Sequence, residues 1–238
     1  MWRAGFSGFF GSGEFSGGLF GRFVCLLGNG FQWGRKDGFP GADGSTIQET
    51  TNATTIPIYG ANGTLLTEGS TIGLKLVDIS TNGVLNGNTA LVYAIKNPLA
   101  FVYSSNIGDW YTNNQSYQNN ALWGDKGKKS VYDPCPKGWR APTDGTWSDF
   151  SKTSIFPASS SGTNVANGRT YNSMTWYPAE GYRNYTNYAL GYVGSRGFYW
   201  SVSVIDASAK SLVFYMSELG TSSIRSRAFG YAVRCVQE

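Results

Sequence analysis

Histidine is absent from this sequence. Its absence removes the commonest general base, the commonest zinc and copper ligand, and every Ser-His or Cys-His nucleophile pair. Hydrolase readings become improbable, and no catalytic residue is assigned. Charge is scarce as well: Asp, Glu, Lys and Arg make up 14% of the residues, where an average domain carries roughly a quarter. The 19 basic and 15 acidic residues leave a formal charge of +4, and the densest basic group is Lys126, Lys128 and Lys129. Basic residues scattered in this way make a solvated surface, so no nucleic-acid partner is expected. Long apolar runs are missing too, since nothing approaches about 18 consecutive apolar residues, and no membrane span is predicted. Carboxylates in aromatic surroundings reduce to Glu180 and Asp206. A glycosidase needs a pair facing across a cleft, and Arg183, three residues after Glu180, makes a local ion pair the expected use of that acid.

What the sequence has in quantity is aromatic residues, at 16%, and 32 glycines. Together they describe a β-rich, turn-rich surface or secreted protein. The first thirty residues hold nine glycines and six phenylalanines interrupted by Glu14 and Arg22, which spoils a signal-peptide apolar core. Residues 1–30 are read as a Gly/Phe-rich lead-in and residues 31–238 as one domain. Within it, 71-TIGLKLVDI-79 alternates as a half-buried strand, and 89-TALVYAIKNP-98 reads as a second strand closed by Asn97-Pro98. Asn82-Gly83 and Asn86-Gly87 would turn the chain between them into a hairpin. Residues 104–129 form a long polar excursion packed through Trp110, Tyr111, Tyr117 and Trp123. In 142-PTDGTWSDF-150 a short helix is predicted, capped by Thr143, with Asp144 in its first turn and Trp147 and Phe150 on one face. The runs 197–204, 211–216 and 228–237 read as an antiparallel sheet. Sequons at Asn52, Asn62 and Asn184 are cheap patterns.

Taken in order, QWGRKDGFP (from Gln32), IKNPLAF (from Ile95), LW (Leu122-Trp123), YDPCPKGWRAPT (from Tyr132), WYPAEGYRN (from Trp176), GFYWSVS (from Gly197) and RAFGYAVRCVQE (from Arg227) resemble the C-type-lectin-like surface domains of fimbrial and major-paralogous type in Bacteroidales-like bacteria. The resemblance covers about residues 31–238. It implies an α+β fold of C-type-lectin-like kind, with twisted antiparallel sheets, one or two short helices and long loops. It implies extracellular, cell-surface or virion display, with a glycan or cell-surface protein as ligand and a pilus or virion subunit as a further partner. The same fold carries retroelement-diversified binding proteins whose variable residues lie near the C-terminus, here 201–231. The stretch before Gln32 departs from the family, so the first strand, which pairs with the last in this fold, is expected to be missing or replaced.

The binding residues expected on this basis are Ser203, Ile205, Asp206, Ser222, Ile224 and Arg225, with Arg140 and Arg234 left to structural hydrogen bonds. Tyrosines among Trp176, Tyr177, Tyr182, Tyr185, Tyr188, Tyr192, Tyr199 and Trp200 are expected to be exposed for stacking, and the tryptophans buried. Cys135 lies between two prolines and Cys235 in the terminal run. A bridge between them would close about 100 residues and contribute roughly 4–5 kcal/mol; two buried thiols are the alternative. Cys25 is then left over. A formylglycine-generating-type copper oxidase would use a cysteine pair, and a pilin or assembly subunit would offer an open sheet edge. Calcium lectins of this fold use EPN and WND, neither of which occurs, and Asp109 and Asp125 are assigned to turn chemistry. No metal and no cofactor are assigned.

Overall fold

The computed structural model describes residues 29–43, 53–70, 73–125, 128–151, 167–172 and 175–238. The lead-in with Cys25, the sequon at Asn52, Lys126 and most of the 158–174 loop lie outside the described residues. In chain order the first half holds β1 (Gly30–Gln32), β2 (Gly38–Phe39), β3 (Ile58–Tyr59), β4 (Leu65–Leu66), β5 (Lys75–Asp78), the helix α1 (Leu91–Lys96), β6 (Ala100–Tyr103), β7 (Gly124–Asp125) and β8 (Lys128–Lys129). The second half holds β9 (Trp139–Arg140), β10 (Gly168–Tyr171), β11 (Thr175–Pro178), β12 (Tyr182–Arg183), β13 (Leu190–Gly191), β14 (Gly197–Ile205), β15 (Ser208–Phe214), β16 (Leu219–Arg225), β17 (Gly230–Tyr231) and β18 (Val236–Gln237). Two 3-10 turns, Gln115–Tyr117 and Asp144–Trp147, complete the regular structure of the described residues.

The expected α+β class is overturned. One six-residue helix stands against strands throughout, and every ladder between named strands except β5–β6 is antiparallel, so the fold is mainly β. The predicted hairpin fails for a related reason: β5 pairs in parallel with β6, and a parallel pair needs a crossover, which α1 supplies. The run 89–98 is accordingly helix, not strand. Ala90 and Ala94, four apart, are buried, so the helix can lie close against the core.

The first strand is not missing: it is β1. It pairs antiparallel with β17, Phe31 opposite Tyr231, at the centre of a five-stranded sheet ordered β13-β12-β17-β1-β2. The 228–237 run is not the third antiparallel strand of the predicted sheet: β17 joins β1, β18 pairs with β9, and between them Ala232 joins β14 only through a parallel bridge to Tyr199. What remains is a β14-β15-β16 meander with core on both faces. Alternation along β15 turns Ala209 and Val213 toward one cluster and Leu212 and Phe214 toward another.

The first cluster is built on Trp33, Trp110, Trp123 and Trp200, and each indole N–H finds a distant backbone carbonyl: Ser201 at 2.9 Å, Trp33 at 2.7 Å, Arg35 at 3.1 Å and Phe31 at 2.8 Å respectively. A buried indole donor left unpaired would cost stability, so these bonds fix which strands can be neighbours. The second cluster holds Trp147, Phe150, Tyr177, Tyr199, Leu212 and Phe214. The tyrosines expected at the surface are in the interior or half-buried, locked edge to face: Tyr177 on Tyr199, and Tyr182 on Phe198 and Phe229. Tyr117, assigned to packing, is exposed instead, as is Trp139.

Candidate ligand-binding groove

The rigid turn around Cys135 is wound on two side chains. Asp133, buried, accepts from the Cys135 N–H at 2.8 Å and the Ala141 N–H at 3.0 Å. Lys129 donates to the carbonyls of Cys135, Pro136 (2.8 Å) and Trp139 (2.7 Å) and sits 3.8 Å from Asp133. Prolines at 134 and 136 restrict the backbone, so a lysine and an aspartate suffice to satisfy the polar groups the turn turns inward. Cys135 and Cys235 are joined in a disulfide, and β9 pairs with β18 beside it, Arg140 opposite Val236.

This turn forms one wall of a groove of about 660 Å3. The 118–121 loop, the β7–β8 hairpin and residues 202–204 of β14 form the rest, with Trp123 and Val202 among the lining. The loop is held in place from beneath. Gln118 donates through Nε2 to Asp109 Oδ2 at 2.7 Å and to the Ala207 carbonyl at 3.1 Å. Buried Arg227 donates to Asn120 Oδ1 at 2.5 Å and to the Asp206 carbonyl at 3.2 Å, while its guanidinium lies over the Trp33 ring. The loop and the β14–β15 turn are thus one unit. Burial raises the Asp109 carboxyl above the usual range, and bonds from Tyr111 N and Gln118 with the Arg227 charge pull the other way.

Of the six expected binding residues, Ser203 alone lines the groove. Its hydroxyl accepts from the Asp144 N–H at 3.1 Å, so the 3-10 turn is capped from across the fold by Ser203 and not by Thr143, whose side chain makes no cap bond. Ser222 donates to Asp144 Oδ2 at 2.8 Å, alongside Lys210 at 2.8 Å. Ile205, Asp206 and Ile224 are exposed at the meander tip, Asp206 in the left-handed region at φ 47°. Arg225 sits opposite buried Ala209 and donates to the Ile224 carbonyl at 2.8 Å. The six therefore split between groove, polar cluster and tip.

Partial burial raises the Asp144 carboxyl, but hydrogen bonds from Lys210, Ser203 and Ser222 with the Lys210 charge outweigh it and bring it down to about 2. A depressed folded-state value means the stabilisation is complete above the ordinary carboxylate pKa and is lost as pH falls from about 4 through about 2. Near solvent the gain is screened to about 1 kcal/mol. Urea midpoints measured at pH 6 and pH 2.5 should therefore fall less with Lys210→Met than with the wild type, and equal falls would remove the pair from the acid response.

The remaining candidates resolve elsewhere. Glu180 and Arg183 do not pair with each other: Arg183, buried, lies 3.7 Å from Glu68 and donates to the carbonyls of Pro40 (2.7 Å) and Tyr188 (2.6 Å). The Gly181 between them has φ 69°, and a Cβ there would stand 2.3 Å from the Gly191 carbonyl oxygen. Arg234 donates to the Trp176 carbonyl at 3.1 Å. The side chain of Asp125 lies outside the described residues. Arg140, assigned to structural bonding, has no side-chain hydrogen bond or ion pair among the described residues and lines the groove. It is the residue sequence reasoning misplaced: Arg140 lies inside the 133–141 turn, and only the folded turn shows that Lys129 and Asp133 already satisfy its inward polar groups and leave Arg140 over. No group of three or more His, Cys, Asp or Glu side chains gathers among the described residues, and no helix among them is long and apolar enough to cross a membrane. No family model, curated protein or solved structure matches this chain.

Proposed function

We propose that this chain is a non-enzymatic ligand-binding domain displayed on a bacterial surface appendage or phage particle, and that it takes a glycan in the groove beside Arg140. The observation that carries the reading is the groove itself: a polar-rimmed concavity within the roughly 300–1,000 Å3 of small-ligand sites, held by side chains that are pinned from below. Preorganisation of this kind lowers the ordering cost on binding. The Cys135–Cys235 bridge and the motifs resembling bacterial surface domains support an exported setting. Exposed Ile205, Asp206, Ser222 and Ile224 could vary in sequence without disturbing either core cluster, which supports a variable rim around a constant frame.

Ala121 is exposed at the groove edge, so Ala121→Trp fills the groove without touching the core. On a glycan and cell-surface array this variant should lose at least about tenfold in affinity, the weight of a contact or two. Asp206→Ala and Arg225→Ala, at the tip, should lose less. Unchanged binding by Ala121→Trp would move the site away from the groove. A second reading, an assembly subunit, is favoured by one observation: β16 is an edge strand of its three-stranded sheet. Concentration-dependent ladders in size exclusion would support it, and a constant small species would not.

A further inference from the structure

The lining of the groove divides unequally into groups already bonded and groups still open. Both carboxylate oxygens of Asp133 are taken by backbone N–H groups. Asn119 Oδ1 accepts from the Ala121 N–H at 2.9 Å, and Asn120 Oδ1 accepts from Arg227. Because those partners can only donate, they fix which way each amide points. Each Nδ2 is left as an open donor, with no partner among the described residues. The charged groups left open follow the same sign. Lys129 is consumed by three carbonyls, but Arg140 and exposed Lys128 have no side-chain partner among the described residues. The one amide presented the other way is Gln118, whose Nε2 is engaged by Asp109 and Ala207 and whose Oε1 stays open to accept.

A groove whose open groups are two cations and two amide donors, with a carbonyl acceptor at one end, is the complement of a ligand that carries negative charge beside neutral hydroxyls. Resting on the binding reading above, we propose that the glycan is an acidic saccharide whose carboxylate is held by Arg140 and Lys128. The planar guanidinium can meet a carboxylate through two parallel N–H bonds, a geometry an ammonium lacks, so Arg140 sets selectivity and Lys128 adds attraction. Asn119 and Asn120 donate to ring or carboxylate oxygens, and Gln118 Oε1 accepts from a sugar hydroxyl. The half-buried Val202 side chain in the lining offers apolar surface to the sugar ring, and buried Trp123 backs the groove from the core.

The test titrates the full chain with trigalacturonate and with the corresponding neutral galactose trisaccharide, and with sialyllactose against lactose, at low and at physiological salt. The acidic member of each pair should bind at least about tenfold more tightly, and its advantage should shrink as salt screens the charges. Arg140→Gln should remove most of that advantage with the melting temperature unchanged; Arg140→Lys should restore only part of it. Lys128→Gln, on an exposed hairpin, should cost a few-fold and flatten the salt dependence even if position 140 proves sensitive in folding. Equal affinity for acidic and neutral sugars, with Arg140→Gln silent, overturns the acidic-ligand inference and leaves the groove reading standing. A sulfated trisaccharide binding as tightly as the carboxylated one overturns the planar-carboxylate assignment. Failure of every saccharide, with Ala121→Trp also silent, overturns the groove reading and the inference with it.

Discussion

Replacing both Cys135 and Cys235 by alanine should lower stability by about 4–5 kcal/mol, because the bridge closes a separation of 100 residues and the unfolded chain regains that freedom. For a domain of this size the melting temperature should drop by roughly 8–20 °C. Alanine is the replacement of choice at 135, since Cys135 is buried and a serine hydroxyl there would add an unpaired polar group. The loss should not be uniform. The turn at 133–141 is held by Lys129 and Asp133 through local bonds that survive the substitution, whereas β18 is tied to β9 by two residue pairs and by the Glu238 N–H to the Gly138 carbonyl. Hydrogen exchange in the alanine pair should therefore rise first at 236–238, and Arg140, opposite Val236, should lose its fixed backbone. Ligand affinity should fall with it. Melting within about 2 °C of the wild type would show that the folded frame does not depend on the bridge.

Local chemistry made part of this legible. The runs 197–204 and 211–216 are rich in aromatic and β-branched residues separated by polar turns, and they form β14 and β15. Trp147 and Phe150 pack as their spacing suggests, although the predicted helix is a 3-10 turn with its cap bond made by a residue 59 positions away. Failures came where distant segments decide. In 89-TALVYAIKNP-98 the β-branched and aromatic residues outweigh the single helical clue, the Ala90 and Ala94 pair, and only the parallel β5–β6 contact makes a crossover necessary. The tyrosine run from 177 to 199 looks like a stacking surface by composition. Its rings instead satisfy one another across β11, β12, β14 and β17, which no local pattern announces. The groove was invisible for the same reason: its wall is a two-residue strand, and its open donors become open only once Arg227 and the Ala121 N–H have engaged the amide oxygens.

Arg35 shows how a buried charge can organise such a frame, and its removal should be as costly as loss of the bridge. It is 2% exposed and donates through Nη1 to the Ala100 carbonyl at 2.7 Å and Gln32 Oε1 at 3.2 Å. Through Nη2 it reaches the carbonyls of Ala94, Asn97 and Pro98 at 3.3, 3.2 and 3.1 Å, and through Nε it reaches Asp37 at 3.2 Å. Ala94 lies in the last turn of α1 and Asn97 and Pro98 follow it; the Ala94 and Asn97 carbonyls each take one backbone bond, from the Asn97 and Ala100 N–H groups, and Arg35 supplies a further donor at the negative end of the dipole. Six residues cannot stay helical in water unaided, so the guanidinium is what ends and anchors the crossover. Arg35→Met keeps much of the volume but leaves those carbonyls facing an apolar side chain. We expect a loss of about 3–5 kcal/mol, read as a lower urea midpoint, with fast exchange at the Ala94 and Asn97 amides. Arg35→Lys should recover little of it, because one ammonium offers three donors from a single point and cannot span the set. A lysine variant as stable as the wild type would mean that charge alone, and not the shape of the fork, holds the helix to the sheet.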